Sequence, residues 1–493
     1  MTVKAYVRDN STSRFGLGQK AIVLFSIFSC LCIPALLFTD RPAVACLSYL
    51  TGSLAILAVY RFGGPTTVIG FLVTIFVMRF YFAPLVVKAA EGHAIWHNLY
   101  RPLETLLVLT CALLAMVVAS LFFREKSLES KQVYALSELV HLRRLIIITA
   151  SLGAIMTLQA LMVQTDVGWS ADFSARFLGG AGSLFQALLP FSLSLSVYNA
   201  LIHGRSVFRS YSVILLFVVN LSLTFISVSR STFLIIFVAI AIPYIFTGRR
   251  IKVSHICAIV VSVFLFVLVV NPTIIYFRTH VEFNSLGERF DAATSFWAET
   301  LNNPTSFRTY GTTVSGEGYY LHYFTNYYGG LERFAILPDS DRLINGTILS
   351  NEYGGWRTIT WAFAMVPPRF IYPEKPFLGP GAYLGHVAGL SAPLDYETQW
   401  ATGLPAEFFH AFSYPGVFFG MIAVLGMFFC VLKFFEYLGI FPAWRMFLAL
   451  YYWSSFSEGH LAAILYSIIP LVVLIIALDR IVRYTRHWRI VIN

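Results

Sequence analysis

The sequence predicts an all-α polytopic membrane protein, and three observations lead to that fold class. Of the 493 residues, 57% are hydrophobic and only 12% are charged, whereas soluble domains carry about 25% charged residues. Apolar segments recur along the whole chain, and a helix needs about 20 apolar residues to cross a bilayer. Lys and Arg are unevenly distributed among the segments between them. The net charge of +10 is therefore attributed to Lys and Arg that set the orientation of membrane helices, and not to nucleic-acid binding.

About twelve segments are apolar and long enough to be transmembrane helices. The first begins only after Lys20 and no small-residue cleavage site follows it, so we expect a retained helix and not a removable signal peptide. The predicted spans are 21–38, 43–60, 66–87, 103–123, 145–163, 181–202, 211–228, 231–246, 256–276, 411–432, 443–460 and 463–479.

The distribution of cations predicts the orientation of these helices. With the N-terminus inside, the inner segments hold 21 Lys and Arg and the short outer segments hold 5. By the positive-inside rule, both termini are expected to be cytoplasmic. The longest inner loop has about 20 residues, too few for a folded domain. Any chemistry is therefore expected at the outer face.

The predicted organisation has three parts. Residues 1–276 form an N-terminal membrane bundle of about nine helices, residues 277–410 form one long outer loop, and residues 411–493 form the last helices and a basic tail. The loop is rich in aromatic residues and interrupted by Pro and Gly, so we expect helical and irregular structure there. Loops of such length are usually functional.

Several familiar motifs do not lead to a site. The six cysteines lie in apolar segments without neighbours at metal-ligand spacing, so neither a metal site nor a disulfide framework is predicted, and no cofactor is expected. The segment Asp339-Ser340-Asp341 resembles a metal-binding DxD motif, but Pro338 precedes it and we interpret it as a turn. Asn345-Gly346-Thr347 is a glycosylation sequon by pattern only.

Two arginines fall in or beside predicted spans. Residues 211–246 would be about 54 Å long as one helix, so the chain is expected to fold back at the polar patch 227–232, which contains Arg230. Arg230 either faces a partner in the bundle or extends to lipid headgroups. Arg79 lies in the third span; it is either a second cation of an outer cavity or a structural residue bonded to the backbone, and the structural role is favoured.

A proline-rich segment in the outer loop offers fixed cations. It follows a short apolar stretch, residues 359–366, which is too short to span and is expected to lie in the membrane interface. Prolines at four positions would hold Arg369 and Lys375 in place. Arginine can bind phosphate through two hydrogen bonds, so this segment predicts a phosphate site; the alternative is a rigid surface loop near headgroups.

Acid–base candidates lie just before the tenth predicted span. Pro405 suits a first helical turn, and Glu407 and His410 would then share one helix face. Either is a candidate general base, although Glu407 taken alone is better explained as an acid that complements a helix N-terminus. Glu317 is a second carboxylate candidate, and Arg278 could join the cations.

These motifs resemble those of the bacterial Wzy-type O-antigen and exopolysaccharide polymerases. The likeness rests on the number of spans, the Arg-Ser corner at Arg230 and the long late outer loop. It also rests on two short motifs, Pro-Arg-Phe-Ile-Tyr-Pro-Glu-Lys-Pro at 368–376 and Gly-Leu-Pro-Ala-Glu-Phe-Phe at 403–409 followed by Tyr-Pro-Gly at 414–416. It covers the layout from about residue 200 onward.

The resemblance implies a metal-independent, GT-C-like glycosyltransferase of the bacterial inner membrane. It would join undecaprenyl-pyrophosphate-linked repeat units, with a chain-length regulator as a further partner. Arg230, Arg278, Arg369 and Lys375 would bind the pyrophosphate, and Glu407 or His410 would be the base. Two alternatives stay open: the related O-antigen ligase, and a polysaccharide or lipid transporter (flippase), which more often has paired halves and broken helices.

Overall fold

The computed structural model describes most of the apolar helices and parts of the outer loop. Apart from isolated positions, it covers residues 41–125, 136–166, 184–227, 230–248, 335–367, 380–391 and 400–484. All regular structure in these ranges is helical. The predicted all-α class is therefore confirmed for the described part of the chain.

Fourteen α-helices are described and are numbered here in chain order. A π-helical turn, Met78–Phe82, joins the helices Val68–Val77 and Ala83–Ala90. The helices are α1 Pro42–Arg61, α2 Val68–Val77, α3 Ala83–Ala90, α4 Pro102–Phe122, α5 Leu136–Asp166, α6 Leu188–Ile202, α7 Tyr211–Ser227, α8 Arg230–Thr247, α9 Leu337–Ser350, α10 Arg357–Ala364, α11 Gly381–Val387, α12 Leu404–Tyr437, α13 Trp444–Glu458 and α14 Leu461–Tyr484.

Seven of the described segments are long and apolar enough to cross a membrane. By the length and composition of its helices, the described part of the chain is compatible with a polytopic helical membrane protein. Helices α7, α8 and α13 coincide with predicted spans but are shorter or less apolar than these seven, and predicted spans 21–38 and 256–276 lie outside the described residues. The seven segments are Pro42–Thr66, Val68–Ala90, Pro102–Phe122, His141–Gln159, Leu184–Ile202, Leu404–Tyr437 and Leu461–Tyr484.

Helix boundaries follow local sequence signals. The 36-residue apolar run divides as predicted, since α7 ends at Ser227 and α8 begins at Arg230. Helix α12 begins at Leu404 and not at 411, with Gly403 in a positive-φ conformation before it and Pro405 in its first turn. The outer loop and the tenth span therefore overlap, and Glu407 and His410 belong to the helix.

The bundle is organised around three central helices. Helix α4 packs between α1 and α12, α6 packs between α5 and α8, and α13 contacts both α2 and α8. Side chains in these contacts are almost entirely apolar. Within a membrane, close packing and small residues hold helices together. Gly153 illustrates this, because a Cβ there would lie 2.4 Å from the backbone nitrogen of Leu189 on α6.

Ion pairs between separate segments of the described part of the chain lie towards the two ends of the bundle. At one end, the Glu125 end, the Glu125 carboxylate accepts hydrogen bonds from the first amides of α2 (Val68 N, 2.9 Å) and lies 3.4 Å from Arg445. Burial raises the pKa of Glu125. The other end, the Glu407 end, holds the start of α12, the start of α14 and the outer-loop helices α9 to α11. Helix α4 separates the two ends by about 31 Å.

Candidate functional site

Thr347, His410 and Tyr383 form a hydrogen-bonded chain at the Glu407 end, called here the relay. His410 lies in the second turn of α12 and only 1% of its surface is exposed. Its Nδ1 is 2.9 Å from Thr347 Oγ1 on α9, and its Nε2 is 2.9 Å from the Tyr383 hydroxyl on α11. Both ring nitrogens are therefore occupied by side chains from two different outer-loop helices.

The hydrogen-bond pattern determines which ring nitrogen carries the proton. Thr347 Oγ1 donates its only proton to the carbonyl of Leu343, 2.8 Å away in the preceding turn. The same oxygen can therefore only accept from His410, so Nδ1 is the protonated nitrogen. Nε2 is left with a lone pair and accepts from the Tyr383 hydroxyl. This is how a second group orients an imidazole as a base.

Arg357 brings a positive charge to the open side of the relay. Its guanidinium carbon lies 4.2 Å above the centre of the Tyr383 ring, within range of a cation–π contact. Arg357 is exposed, Tyr383 is half-buried and His410 is buried. The relay thus leads from the interior to a cation at the surface.

A break in α12 holds the relay and Arg357 together. Phe412 and Ser413 leave the helical conformation, and Ser413 has a positive φ of 56°. Pro415 has no amide proton for the carbonyl of Ala411 four residues earlier. The turn before α10 supplies the missing donors: Gly354 N bonds to His410 O at 2.8 Å and Gly355 N bonds to Ala411 O at 3.0 Å.

Gly354 also makes the close approach to His410 sterically possible. A Cβ at this position would lie 2.8 Å from Nε2 of His410 and 3.6 Å from the Tyr383 hydroxyl. Such a distance requires something to move. The absence of a side chain at Gly354 is therefore part of the geometry that brings Arg357, Tyr383 and His410 together.

Glu407 points to a different neighbour. Its Oε2 accepts a hydrogen bond from Leu461 N (2.8 Å), at the start of α14, and lies 3.8 Å from Nδ1 of His460. His460 donates from Nε2 to the carbonyl of Trp400 (2.6 Å), since a carbonyl can only accept. Glu407 is 1% exposed. This carboxylate is engaged in joining α12 to α14, where it complements the positive N-terminus of that helix.

Arg79 is enclosed in the bundle at the same end. Its guanidinium forms an ion pair with Glu458, donates to Ser457 Oγ (3.0 Å) and lies 5.9 Å from the Trp453 ring centre. These contacts connect the π-helical turn to the last turn of α13. The partners shown for the guanidinium are side chains and not the backbone carbonyl that the favoured structural role assumed.

Asp341 anchors the loop between α3 and α4, and the DxD-like segment is helical. The interpretation of Asp339-Ser340-Asp341 as a turn is wrong, because Pro338 lies in the first turn of helix α9 and does not interrupt it. The Asp341 carboxylate accepts from Tyr100 N (2.6 Å), Arg101 N (3.0 Å) and Thr105 Oγ1 (2.7 Å). Burial raises the pKa of Asp341, while these donors favour its ionised form.

The other predicted site residues are not brought to the relay by described contacts. Arg230 begins α8, but its side chain is outside the described part of the structure. Arg278, Glu317, Arg369 and Lys375 lie outside the described residues. Among described residues, no group of three or more His, Cys, Asp or Glu is placed to hold a metal ion.

Three residues of the site were not found from the sequence. Thr347 and Tyr383 contact His410 across 63 and 27 residues, and no local pattern marks such distant pairs. Thr347 was noted only as part of the sequon, whereas in the structure it is fully buried and hydrogen-bonded to His410. For Arg357 the sequence contained only a weak indication. It precedes the apolar stretch 359–366, which was expected at the membrane interface and whose first part belongs to α10.

Comparison with known proteins gives no relative: no protein-family model, no curated protein and no solved structure matches this chain. The fold and the site define a polytopic helical membrane protein with a Thr–His–Tyr relay at one end of its bundle.

Proposed function

We propose that the protein is a metal-independent, GT-C-like glycosyltransferase of the bacterial inner membrane, which polymerises undecaprenyl-pyrophosphate-linked oligosaccharide repeat units at the outer face. The single observation that carries the proposal is the oriented imidazole of His410. Its lone pair is directed to the half-buried phenol of Tyr383, and the exposed cation Arg357 lies on that phenol. The positive-inside count assigns this end of the bundle to the outer side.

The relay accounts for the proton that glycosyl transfer must remove. The acceptor sugar hydroxyl gives its proton to Tyr383 Oη as the Tyr383 proton moves to His410 Nε2. The acceptor oxygen forms a bond to the anomeric carbon, and the bond from that carbon to the pyrophosphate oxygen breaks with its electron pair on the pyrophosphate. General-base assistance of this kind contributes about 100- to 10,000-fold to a rate.

The leaving group explains the need for cations at this surface. Pyrophosphate takes up negative charge as it departs, and fixed cations stabilise that charge. Arg357 is the described candidate, and we propose Arg230, Arg278, Arg369 and Lys375 as its partners. The outer-loop aromatics would stack on sugar rings. Because the donor is borne by a lipid, no inner nucleotide-binding domain is required.

The geometry favours His410 over Glu407 as the base. The Glu407 carboxylate already accepts the amide of Leu461 and is buried between α12 and α14. His410 is hydrogen-bonded to Tyr383, a residue that is only partly buried. We therefore assign Glu407 to positioning and His410 to proton transfer.

The test is the surface glycan of a strain that lacks the gene and is complemented with wild type, His410→Ala or Glu352→Gln as an exposed control. A polymerase predicts loss of the long ladder in the deletion and the His410→Ala strain, with one repeat unit still on its acceptor. Long polymer accumulating on undecaprenyl pyrophosphate would instead identify a ligase. Repeat units retained on the inner leaflet would identify a transporter and refute the proposal.

A further inference from the structure

A cluster of exposed apolar side chains lies on the outer-loop segment 349–363, which also carries Gly354 and Arg357 next to the relay. Its members come from the end of α9, the turn before α10, and α10 itself. They are Leu349, Tyr353, Trp356 and Phe363, with 46–68% of each residue exposed. We call these four residues the rim. In water, so much exposed apolar surface within 15 residues would be costly, at about 25 cal/mol per Å².

The rim is tightly held by the membrane helices and is not a loose loop. Trp356 packs edge-on against Phe412 at the break in α12, with ring centres 5.0 Å apart, and Tyr353 contacts Phe409. Helix α10 packs along α14 and also contacts α12. Thr358 and Ala362 are its buried positions, whereas Phe363 points away from the bundle.

The position of Trp356 along α12 sets its depth relative to the bilayer. Phe419 on the spanning part of α12 is 69% exposed, as expected of a side chain that faces lipid. It follows Phe412, the contact of Trp356, by seven residues, which would be about 10 Å along the axis of an unbroken helix. The rim is thus continuous with the lipid-facing surface and lies about one headgroup layer above it.

The chemistry of the rim fits that depth. Trp and Tyr are enriched where a bilayer meets water, because their rings are apolar but carry one polar group. Short helices with one apolar face lie in the same layer. The neighbouring exposed cation, Arg357, suits a layer of phosphate headgroups.

We propose that the rim inserts into the headgroup region of the leaflet at the Glu407 end and thereby holds the relay at the level of lipid phosphates. This inference does not require the proposed glycosyl transfer. Its consequence for that function is that a lipid-borne reacting group can meet Tyr383 and Arg357 without leaving the bilayer surface.

Nitroxide labels on single cysteines test the proposal in full-length protein. In a background without the six native cysteines, labels are attached at Trp356→Cys, at Phe363→Cys and at the exposed control Glu352→Cys. The protein is reconstituted in phosphatidylethanolamine–phosphatidylglycerol vesicles. Collision with oxygen, which concentrates in the bilayer, is compared with collision with a water-soluble nickel chelate.

The expected result is an oxygen-to-nickel ratio severalfold higher at positions 356 and 363 than at 352. Equal ratios at all three positions would place the rim in water and overturn the proposal. Low collision with both reagents would mean that protein covers the rim, which would also overturn it.

A second measurement avoids any effect of the cysteine substitutions on folding. The chain has nine tryptophans, and lipids that carry bromine near the headgroup quench the fluorescence of those they contact. The quenching is compared in the wild type, Trp356→Phe and Trp444→Phe. Trp356→Phe should lose a larger share of the quenchable signal than Trp444→Phe, because Trp444 is fully buried in the bundle. An equal loss in the two variants would refute insertion of Trp356.

Discussion

His410 and Tyr383 are joined by a hydrogen bond of 2.9 Å that links a membrane helix to a short helix of the outer loop. The bond matters because of its direction: the phenol donates and the imidazole accepts. Thr347 enforces this direction from the other side of the ring. Three residues from α9, α11 and α12 therefore act as one unit.

Removing the Tyr383 hydroxyl should disconnect His410 from the surface. In Tyr383→Phe the ring and its contact with Arg357 are kept, but Nε2 loses its donor. We expect polymer synthesis to fall by about 100-fold, within the range of general-base contributions. The measurement is the rate of chain extension in proteoliposomes supplied with lipid-linked repeat units, at equal protein abundance. Tyr353→Phe, at an exposed tyrosine of the neighbouring turn, is the control; activity of Tyr383→Phe equal to that control would exclude the relay.

A methyl group at Gly354 should disturb the relay without removing any of its members. The added Cβ would lie 2.8 Å from His410 Nε2, so the ring or the turn must shift. We expect Gly354→Ala to lower activity at least about tenfold, because small displacements of a catalytic group are costly. Gly355→Asn is the matched control, since Gly355 has a φ of +54° that Asn tolerates and open space around its Cα. Wild-type chain extension in Gly354→Ala would show that the tight contact has no functional role.

Thr347 should determine which ring nitrogen of His410 carries the proton. Thr347→Val keeps the shape of the side chain but leaves Nδ1–H without an acceptor, at a cost of about 1–3 kcal/mol. Thr347→Ser keeps the hydroxyl and should restore activity. The pH dependence of chain extension separates this role from simple packing, because loss of the acceptor should change the pH at which activity is half-maximal. An unchanged profile in Thr347→Val would contradict the orienting role.

The sequence predicted the helices of this molecule better than the tertiary contacts between their side chains. Spacing of apolar residues located α1, α4 and α14, since burial in a bilayer leaves a direct signal in composition. Pro405 correctly indicated the first turn of α12. Proline misled at Pro338, which lies in the first turn of α9, although the segment that follows it was interpreted as a turn.

The candidate site was predicted only in part, for a physical reason. His410 and Glu407 could be selected because Pro405 predicts a helix start that places both on one helix face. Their partners could not, since Thr347 and Tyr383 become neighbours of His410 only when α9 and α11 pack on α12. Arg79 illustrates the same difficulty. The energetic cost of an arginine inside a predicted span could be recognised from the sequence, but its partner Glu458 could not, because it lies 379 positions away in the chain.

The Arg79–Glu458 pair should be a brace of the bundle and separable from catalysis. Arg79 is 5% exposed, but the Glu458 side chain is 27% exposed, so water partly compensates the carboxylate that is left unpaired. We therefore expect a cost below the about 3–5 kcal/mol that is typical of a fully buried ion pair. We expect Arg79→Met to lower the midpoint of thermal unfolding in detergent, and the double variant Arg79→Met/Glu458→Gln to recover part of the loss. Lys433→Met, whose ion pair with Glu436 is exposed, should have little effect, since exposed pairs contribute about 0–1 kcal/mol. If the double variant is stable but inactive, Arg79 has a role in the site beyond bracing. If it is stable and extends chains at the wild-type rate, the arginine serves the fold alone, because the pair can be replaced by neutral side chains without disturbing the relay on α12.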